Sequence, residues 1–341
     1  MTLSAPREKA CFMKCLHRDL FLAGALAIGC AIPAAQAQEK LIVGYTNFQS
    51  AKMPLPLARE TGIFGKHGLD VTLVPAGGTS GVPKLIAGEI DIFVGNGAPV
   101  VTAITQDGAK LALIGSMGDD SFNLVARSSI HNVEELKGKR IGVTQPGSSA
   151  DRIARLTLST LKLDPDRDVQ MVATGLTDSV ARLKQVARGE TDATIAATES
   201  VIALGEQRSQ VAIIAVLEDL GIYISGSDIS TTRKMLETRR PAVKRFMSAL
   251  MDAIARAKAD PQLSRRIYRD FSDTKEEAAL DWRIAEFVPK RIASVPGPNR
   301  RAMAFYFKDL GRSGPPDFDA VADFSLVQEV VAERTDAAPA K

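Results

Sequence analysis

The sequence predicts an α/β protein of two lobes, each a mostly parallel sheet flanked by helices. Three observations carry that expectation. The stretch LIAGEIDIFVGNG, residues 85–97, returns about a hundred residues later as VARGETDATIAATES, residues 186–200. Both have an apolar helix end, a glycine (Gly88, Gly189), a Glu-x-Asp (Glu89/Asp91, Glu190/Asp192), a short strand and a small-residue loop. Strand-like and helix-like runs alternate through both copies, which forces parallel strands with right-handed crossovers. At 341 residues, 45% of them hydrophobic, the chain can fill two cores.

The elements follow in order. LIVGYT (41–46) is a short apolar run suited to a buried parallel strand. In PLPLARETGIF (54–64), Leu55, Leu57, Ala58 and Ile63 fall near helical spacing, and Gly62 is the stop. LDVTLVPA (69–76) alternates like a strand and breaks at Gly77-Gly78-Thr79-Ser80. Val82, Leu85 and Ile86 form a helix face, and IDIFVG is a third strand. In the second copy KRIGVTQ (139–145) is the first strand, and residues 147–151 open a helix through Ile153, Leu156 and Leu161. RDVQMVATG (167–175) then echoes LDVTLVPAG, pairing Asp70 with Asp168, Val71 with Val169, Val74 with Val172 and Gly77 with Gly175. Thr79/Thr177 and Val82/Val180 keep the register, and the period is too long for a solenoid.

FNLVARSS (122–129) and LGIYISGS (220–227) read as extended connectors, the first leaving lobe one, the second returning to it, so that two crossings could form a hinge. The expected division is residues 38–127 for the first part of lobe one, 128–221 for lobe two, and 222–341 for the return to lobe one. That last part is mostly helical, over 241–259, 263–271, 275–292 and 300–310, with a frayed tail at 336–341.

The first residues are read as a leader. Arg7, Lys9, Lys14 and Arg18 precede an apolar run over 20–35, and Ala35-Gln36-Ala37 is a small-x-small cleavage signal. Residues 1–37 therefore form a secretory signal peptide, too short and wrongly flanked for a membrane span, with Met13 as good a start as Met1. Cys30 follows Leu26-Ala27-Ile28-Gly29, but the spacing fits a lipid anchor poorly. Cleavage after Ala37 removes all three cysteines, leaving no disulfide, thiolate nucleophile or cysteine metal site. The formal net charge is +3, most of it in the leader, so neither nucleic acid nor an anionic membrane is expected as a partner.

Three stretches carry a family likeness: KLIVGYTN, LARETGIFGKHGLDVTLVPAGGTSGVPKLIAGEIDIFVGNGAP, and SSIHNVEELKGKRIGVTQPGSSAD. With the leader, they resemble periplasmic substrate-binding proteins of ABC transporters, in the group that takes sulfonates, nitrate, taurine and thiamine-precursor pyrimidines. The likeness is strongest over 40–151 and weaker past about 230. It implies a type II-like periplasmic-binding-protein clamshell, a monomer in the periplasm that closes on a small solute and delivers it to an ABC permease with its ATPase. It implies no cofactor, no metal and no catalytic residue. In such relatives the solute touches loops after the strands. Carried over, these are Asn47, Phe48, Gln49 and Ser50, then Gly77, Gly78 and Thr79, then Gly95, Asn96 and Gly97. In lobe two they are Gln145, Gly147, Ser148 and Ser149, then Thr177 and Asp178, then Thr198 and Glu199. Relatives often carry proline or tryptophan near 197–199; this chain has neither, which leaves the ligand class open.

The loops have their own physics. Helix N-termini present unpaired N–H groups and partial positive charge, suited to an anion. Ser50, Thr79, Ser148 and Ser149 can donate hydroxyl bonds. No arginine lies within any of these loops, so no guanidinium clamp is evident. Asp178 and Glu199 suit an amino or ring N–H group. The expected solute is small and anionic or zwitterionic, like a sulfonate, nitrate or taurine, with a pyrimidine or aromatic carboxylate as alternative. Plainer readings stand beside these. Ser148 and Ser149 serve equally as helix caps, Gly77 and Gly78 as a turn, and Asp178 as the cap of the Val180 helix. Phe48 and Tyr223, the latter at the proposed hinge, can stack on a flat ligand or simply pack. Glu89 and Asp91 read as structural, and Trp282 as packing. The rival class is an enzyme on the same clamshell. Beyond the leader only His67 and His131 remain, both outside the loops, and no Gly-x-Ser-x-Gly or His-Glu-x-x-His occurs. Asp178 with Glu199 could make an acid/base pair by spacing alone.

Overall fold

Two five-stranded sheets carry the fold in the computed structural model, which describes residues 37–46, 50–77, 79–118, 121–272, 276–311 and 314–336. Residues 1–36, Asn47, Phe48, Gln49, Gly78 and the last five residues of the chain are among those outside the described residues. The strands are β1 (Glu39–Tyr45), β2 (Leu69–Pro75), β3 (Ile92–Gly95), β4 (Leu111–Ser116), β5 (Phe122–Arg127), β6 (Arg140–Val143), β7 (Gln170–Ala173), β8 (Ala193–Ala197), β9 (Val211–Val216) and β10 (Asp228–Thr232). The first sheet runs β2-β1-β3-β10-β4 and the second β7-β6-β8-β5-β9.

The two orders follow one plan. In the first sheet β1 pairs in parallel with β2 and β3, and β10 runs antiparallel between β3 and β4. In the second, β6 pairs in parallel with β7 and β8, and β5 runs antiparallel between β8 and β9. Each sheet thus has four strands one way and one against, and the odd strand is the one arriving from the other lobe. The chain crosses between lobes after β4 and again after β9. FNLVARSS, read as the exit from lobe one, supplies β5, a strand of the second sheet, so the expected boundary at 127/128 falls one strand late. Leu124, Val125 and Ala126 are all fully buried, which removes the alternation that marks a half-exposed strand. The stretch 220–227 holds no strand; β10 begins at Asp228.

The helices are α1 (Pro54–Glu60), α2 (Ile63–Lys66), α3 (Gly81–Ala87), α4 (Ala98–Gln106), α5 (Ser149–Thr160), α6 (Ser179–Arg188), α7 (Thr198–Ile202), α8 (Arg233–Thr238), α9 (Arg240–Ala259), α10 (Pro261–Phe271), α11 (Glu277–Trp282), α12 (Val288–Lys290), α13 (Arg300–Asp309), α14 (Phe318–Val321) and α15 (Ser325–Asp336). The long α9 buries Val243, Phe246, Leu250 and Ile254 in the same cluster as Leu41 and Val43 of β1. Each such side chain contributes about 1.5–3 kcal/mol on burial, so the C-terminal helices complete the first lobe's core. Between α11 and α12, Arg283–Phe287 is a π-helical turn inside what the sequence suggests is one continuous helix.

The repeated segment explains itself as a strand clip. Gly88 and Gly189, both at φ 75°, end α3 and α6 in the left-handed conformation. The Asp91 N–H then donates to the Ile42 carbonyl at 2.8 Å, and the Ile42 N–H donates back to Asp91 Oδ2 at 2.8 Å. The second copy repeats the exchange between Asp192 and Arg140, at 2.8 and 2.9 Å. In each lobe one carboxylate closes the edge where two strands start.

Candidate functional site

The ends of β1, β3, β6 and β8 line a small cavity of about 100 Å³ between the lobes. Thr46 and Asn96 line it from the first lobe, Thr144, Ser148, Ser149 and Thr177 from the second, and Phe122 and Gly226 from next to the crossings. On the second lobe's side the start of α5 is built for close approach. Gly147 sits at φ 77°, its N–H donates to Asp151 Oδ2 at 2.9 Å, and the buried Ser148 caps the helix by accepting from the Asp151 N–H at 3.3 Å. Of the four orphan N–H groups at a helix start, the cap takes one; the rest add partial positive charge at the cavity wall.

The charged group on this wall comes from a helix. Arg182 of α6 lines the cavity and is only 5% exposed. Its guanidinium donates from Nη1 to the Leu176 carbonyl at 2.9 Å, the Thr177 carbonyl at 3.1 Å and Thr144 Oγ1 at 3.3 Å. Nε donates to Thr194 Oγ1 and Nη2 to the Ile195 carbonyl, each at 3.3 Å. Among the described residues no carboxylate lies within ion-pair distance of it. Burial pulls its pKa down from the ordinary arginine range to about 10, against a smaller opposing pull from Asp178, so it remains charged at neutral pH. Asp178 is committed elsewhere: its carboxylate caps α6, accepting from Val180 N at 3.3 Å and Ala181 N at 2.9 Å. A buried cation held by neutral oxygens alone is costly unless a counter-charge arrives.

Arg182 escapes a reading confined to loops. The signal for it lies in α6, whose buried residues are Ser179, Arg182, Leu183 and Val186, an arginine in the inward stripe.

The expected site residues divide into groups. Asn96, Ser148, Ser149 and Thr177 come together on the small cavity. Asn96 also accepts the Ala98 N–H at 2.8 Å, and Gly97 donates to the buried Asp228 carboxylate at 2.9 Å. A Cβ on Gly97 would lie 2.4 Å from that carboxylate, so only glycine fits there. Gly95 is buried at the end of β3. Gly77, Thr79, Gln145 and Gly147 are exposed and outside the cavity lining, with the Gly77 carbonyl accepting both the N–H and the hydroxyl of Ser80. Thr198 and Tyr223 line a different, larger groove of about 820 Å³ beside Trp282, and the Arg301 guanidinium covers the Tyr223 ring at 3.5 Å. Ser50 and Glu199 meet each other instead, with Ser50 N donating to Glu199 Oε1 at 3.4 Å. Asn47, Phe48, Gln49 and Gly78 lie outside the described residues. His67 pairs with Asp252 at 2.7 Å on the first lobe, and His131 is exposed. Among the described residues no group of three or more His, Cys, Asp or Glu could hold a metal ion, and no helix is long and apolar enough to cross a membrane.

Two lobes of this topology around a strand-end cavity define the periplasmic-binding-protein fold. The sequence pattern described as NMT1/THI5 like matches residues 49–264, and the chain belongs to that family. No curated protein matches it significantly. Among solved structures it is similar to the alkanesulfonate-binding protein SsuA of Xanthomonas axonopodis pv. citri bound to MOPS, at 23% identity over 72% of this chain and 83% of that one, TM-score 0.59. The nitrate-binding protein NrtA of Synechocystis PCC 6803 shares 13% identity over 86% and 88%, TM-score 0.64. A DszB mutant in complex with biphenyl-2-sulfinic acid shares 16% identity over 87% and 99%, TM-score 0.60.

Proposed function

We propose that this protein is an exported solute-binding protein that captures the anionic group of a small solute between its lobes and delivers it to an ABC permease. The observation that carries this reading is Arg182, a buried guanidinium with no carboxylate in ion-pair distance among the described residues, facing the same cavity as the capped start of α5. An oxyanion would supply the missing counter-charge and accept bonds from Ser148, Ser149 and the arginine together. The similar structures support this chemistry, because alkanesulfonate, nitrate and a sulfinic acid are what their descriptions name. The leader read from the sequence supports export.

The ligand's other end is narrower than the sequence alone suggests. Asp178 caps α6 and Glu199 meets Ser50, so neither carboxylate is available to a ligand N–H group. A simple oxyanion is favoured over a zwitterion. The test is a thermal-shift panel on the chain from Gln38 onward, unfolded and refolded to remove carried-over ligand. It holds nitrate, sulfate, methanesulfonate, taurine, benzoate and an aminopyrimidine. At about 100 times Kd a true solute adds roughly 2.7 kcal/mol, a rise of several degrees. Methanesulfonate is expected to stabilise at least as well as taurine. A shift by the aminopyrimidine alone sinks the oxyanion reading. Because the fold alone does not separate binding from catalysis, each hit is also incubated with the protein and recovered; a changed compound means an enzyme.

A further inference from the structure

Glu199 is buried, yet among the described residues its carboxylate has no partner within its own lobe. It stands in the first turn of α7, directly after β8 of the second sheet. Its Oε1 accepts the backbone N–H of Ser50 at 3.4 Å, and its Oε2 accepts from Nε of Arg283 at 3.4 Å. Both partners belong to the first lobe. Ser50 follows β1, and Arg283 opens the π-helical turn, which is packed with α10 and α11 against that lobe's core.

The first lobe holds its half ready without help from Glu199. Arg283 Nε also donates to Ser50 Oγ at 3.0 Å, and its Nη1 donates to Ser272 Oγ at 3.1 Å. The guanidinium lies 5.2 Å from the centre of the Tyr268 ring, and the Tyr268 hydroxyl donates to the Ser50 carbonyl at 2.7 Å. The π turn, a local irregularity often found at functional positions, aims Arg283 at this point. The result is a preformed socket of fixed donors, one of them charged, and a single carboxylate from the opposite lobe that enters it.

We infer that Glu199, Ser50 and Arg283 form a latch between the lobes, with Glu199 and Arg283 as positioning residues that hold the closed arrangement and do not touch the solute. When the lobes part, the carboxylate returns to water and the socket keeps its own bonds, so neither lobe's fold depends on the contact. Among the described residues two other ion pairs also span the lobes, Arg152 with Asp309 at 2.8 Å and Arg291 with Glu218 at 2.9 Å. Both are partly exposed, and such pairs contribute little and are screened by salt. The Glu199–Arg283 contact, with both side chains less than a tenth exposed, is the buried one of the three. This inference does not rest on the identity of the solute.

The test measures the distance between lobes in the solute-free protein. The chain beyond the leader has no cysteine, so Ala87→Cys and Lys184→Cys, both exposed and one on each lobe, carry a pair of spin labels. In the otherwise native chain a short distance dominates. Glu199→Gln keeps the size of the side chain and removes its charge, and the distribution is expected to move to longer distances while the melting temperature stays close to native. Arg283→Met should give the same opening, and the double variant should open no further than either single one. If Arg283→Met fails to fold because Ser272 and Tyr268 lose their partner, Glu199→Gln decides alone. A folded Glu199→Gln protein with the native distance distribution overturns the latch.

Discussion

Arg182 concentrates the electrostatics of the candidate site in one residue. Its hydrogen bonds go to carbonyls and hydroxyls, which orient the guanidinium without cancelling its charge. Arg182→Gln therefore removes the counter-charge for a bound oxyanion. Charged hydrogen bonds are worth about 1.5–3 kcal/mol, so calorimetric titration of the best anion should show affinity falling roughly ten- to a hundredfold. The same residue sets a pH limit. With its pKa at about 10, Arg182 binds an anion through its protonated form, and loss of that proton removes the attraction. Affinity should be level from pH 7 to 9 and fall as the pH rises through and beyond 10, a falloff that Arg182→Gln should not show. The loops on the cavity wall were legible from the sequence because strand ends in α/β sheets are where ligands sit. Arg182 was not, because the periodicity that places it inward is the one that places core leucines inward, and the eye assigns that stripe to packing.

At the scale of elements the repeat was legible in letters, and its physical content is a pair of bonds. Asp192 sits in the second copy of the clip, and its carboxyl is held below the ordinary carboxylate range, chiefly by hydrogen bonding to the Arg140 side chain. A group whose folded pKa is depressed adds stability above its unfolded pKa, near 3.9 for aspartate, and that stability disappears as the pH falls through the folded value. Asp192→Ala leaves the Arg140 N–H without its acceptor, which should cost about 1–3 kcal/mol in urea unfolding at pH 7. The gap between the two proteins should shrink as unfolding is repeated at successively lower pH below 4. The core strands β1, β2, β3, β6 and β7 were readable because their apolar runs end in turn residues. Four others were not. LALIGS and VAIIAV, which form β4 and β9, carry no motif, β5 is buried on both faces, so it reads as a connector, and β10 lies just past the run 220–227 that reads as extended. The π turn spans only five residues, too few for a change of side-chain period to stand out between the helices on either side.

For the whole molecule the consequence is a separation between holding the solute and holding the lobes. The small cavity lies beside Arg182 and the start of α5, whereas Glu199 and Arg283 meet outside its lining. If solute is trapped only when the lobes are closed, its apparent dissociation constant equals the intrinsic one divided by the closed fraction. Opening the latch then weakens binding with every cavity contact intact. A closed fraction reduced to about one tenth costs about tenfold in affinity. The two sites should therefore fail in opposite ways. Arg182→Gln should lose the anion and keep the native distance between labelled lobes in the free protein. Glu199→Gln should open the free protein, bind the anion more weakly, and recover the native short distance once the anion is saturating. Labels that stay apart at saturation would mean that Glu199 is needed for closure itself and not only for its balance. Recovery would show that solute and latch draw on the same equilibrium between open and closed lobes, the one carried by the two crossings that join the sheets.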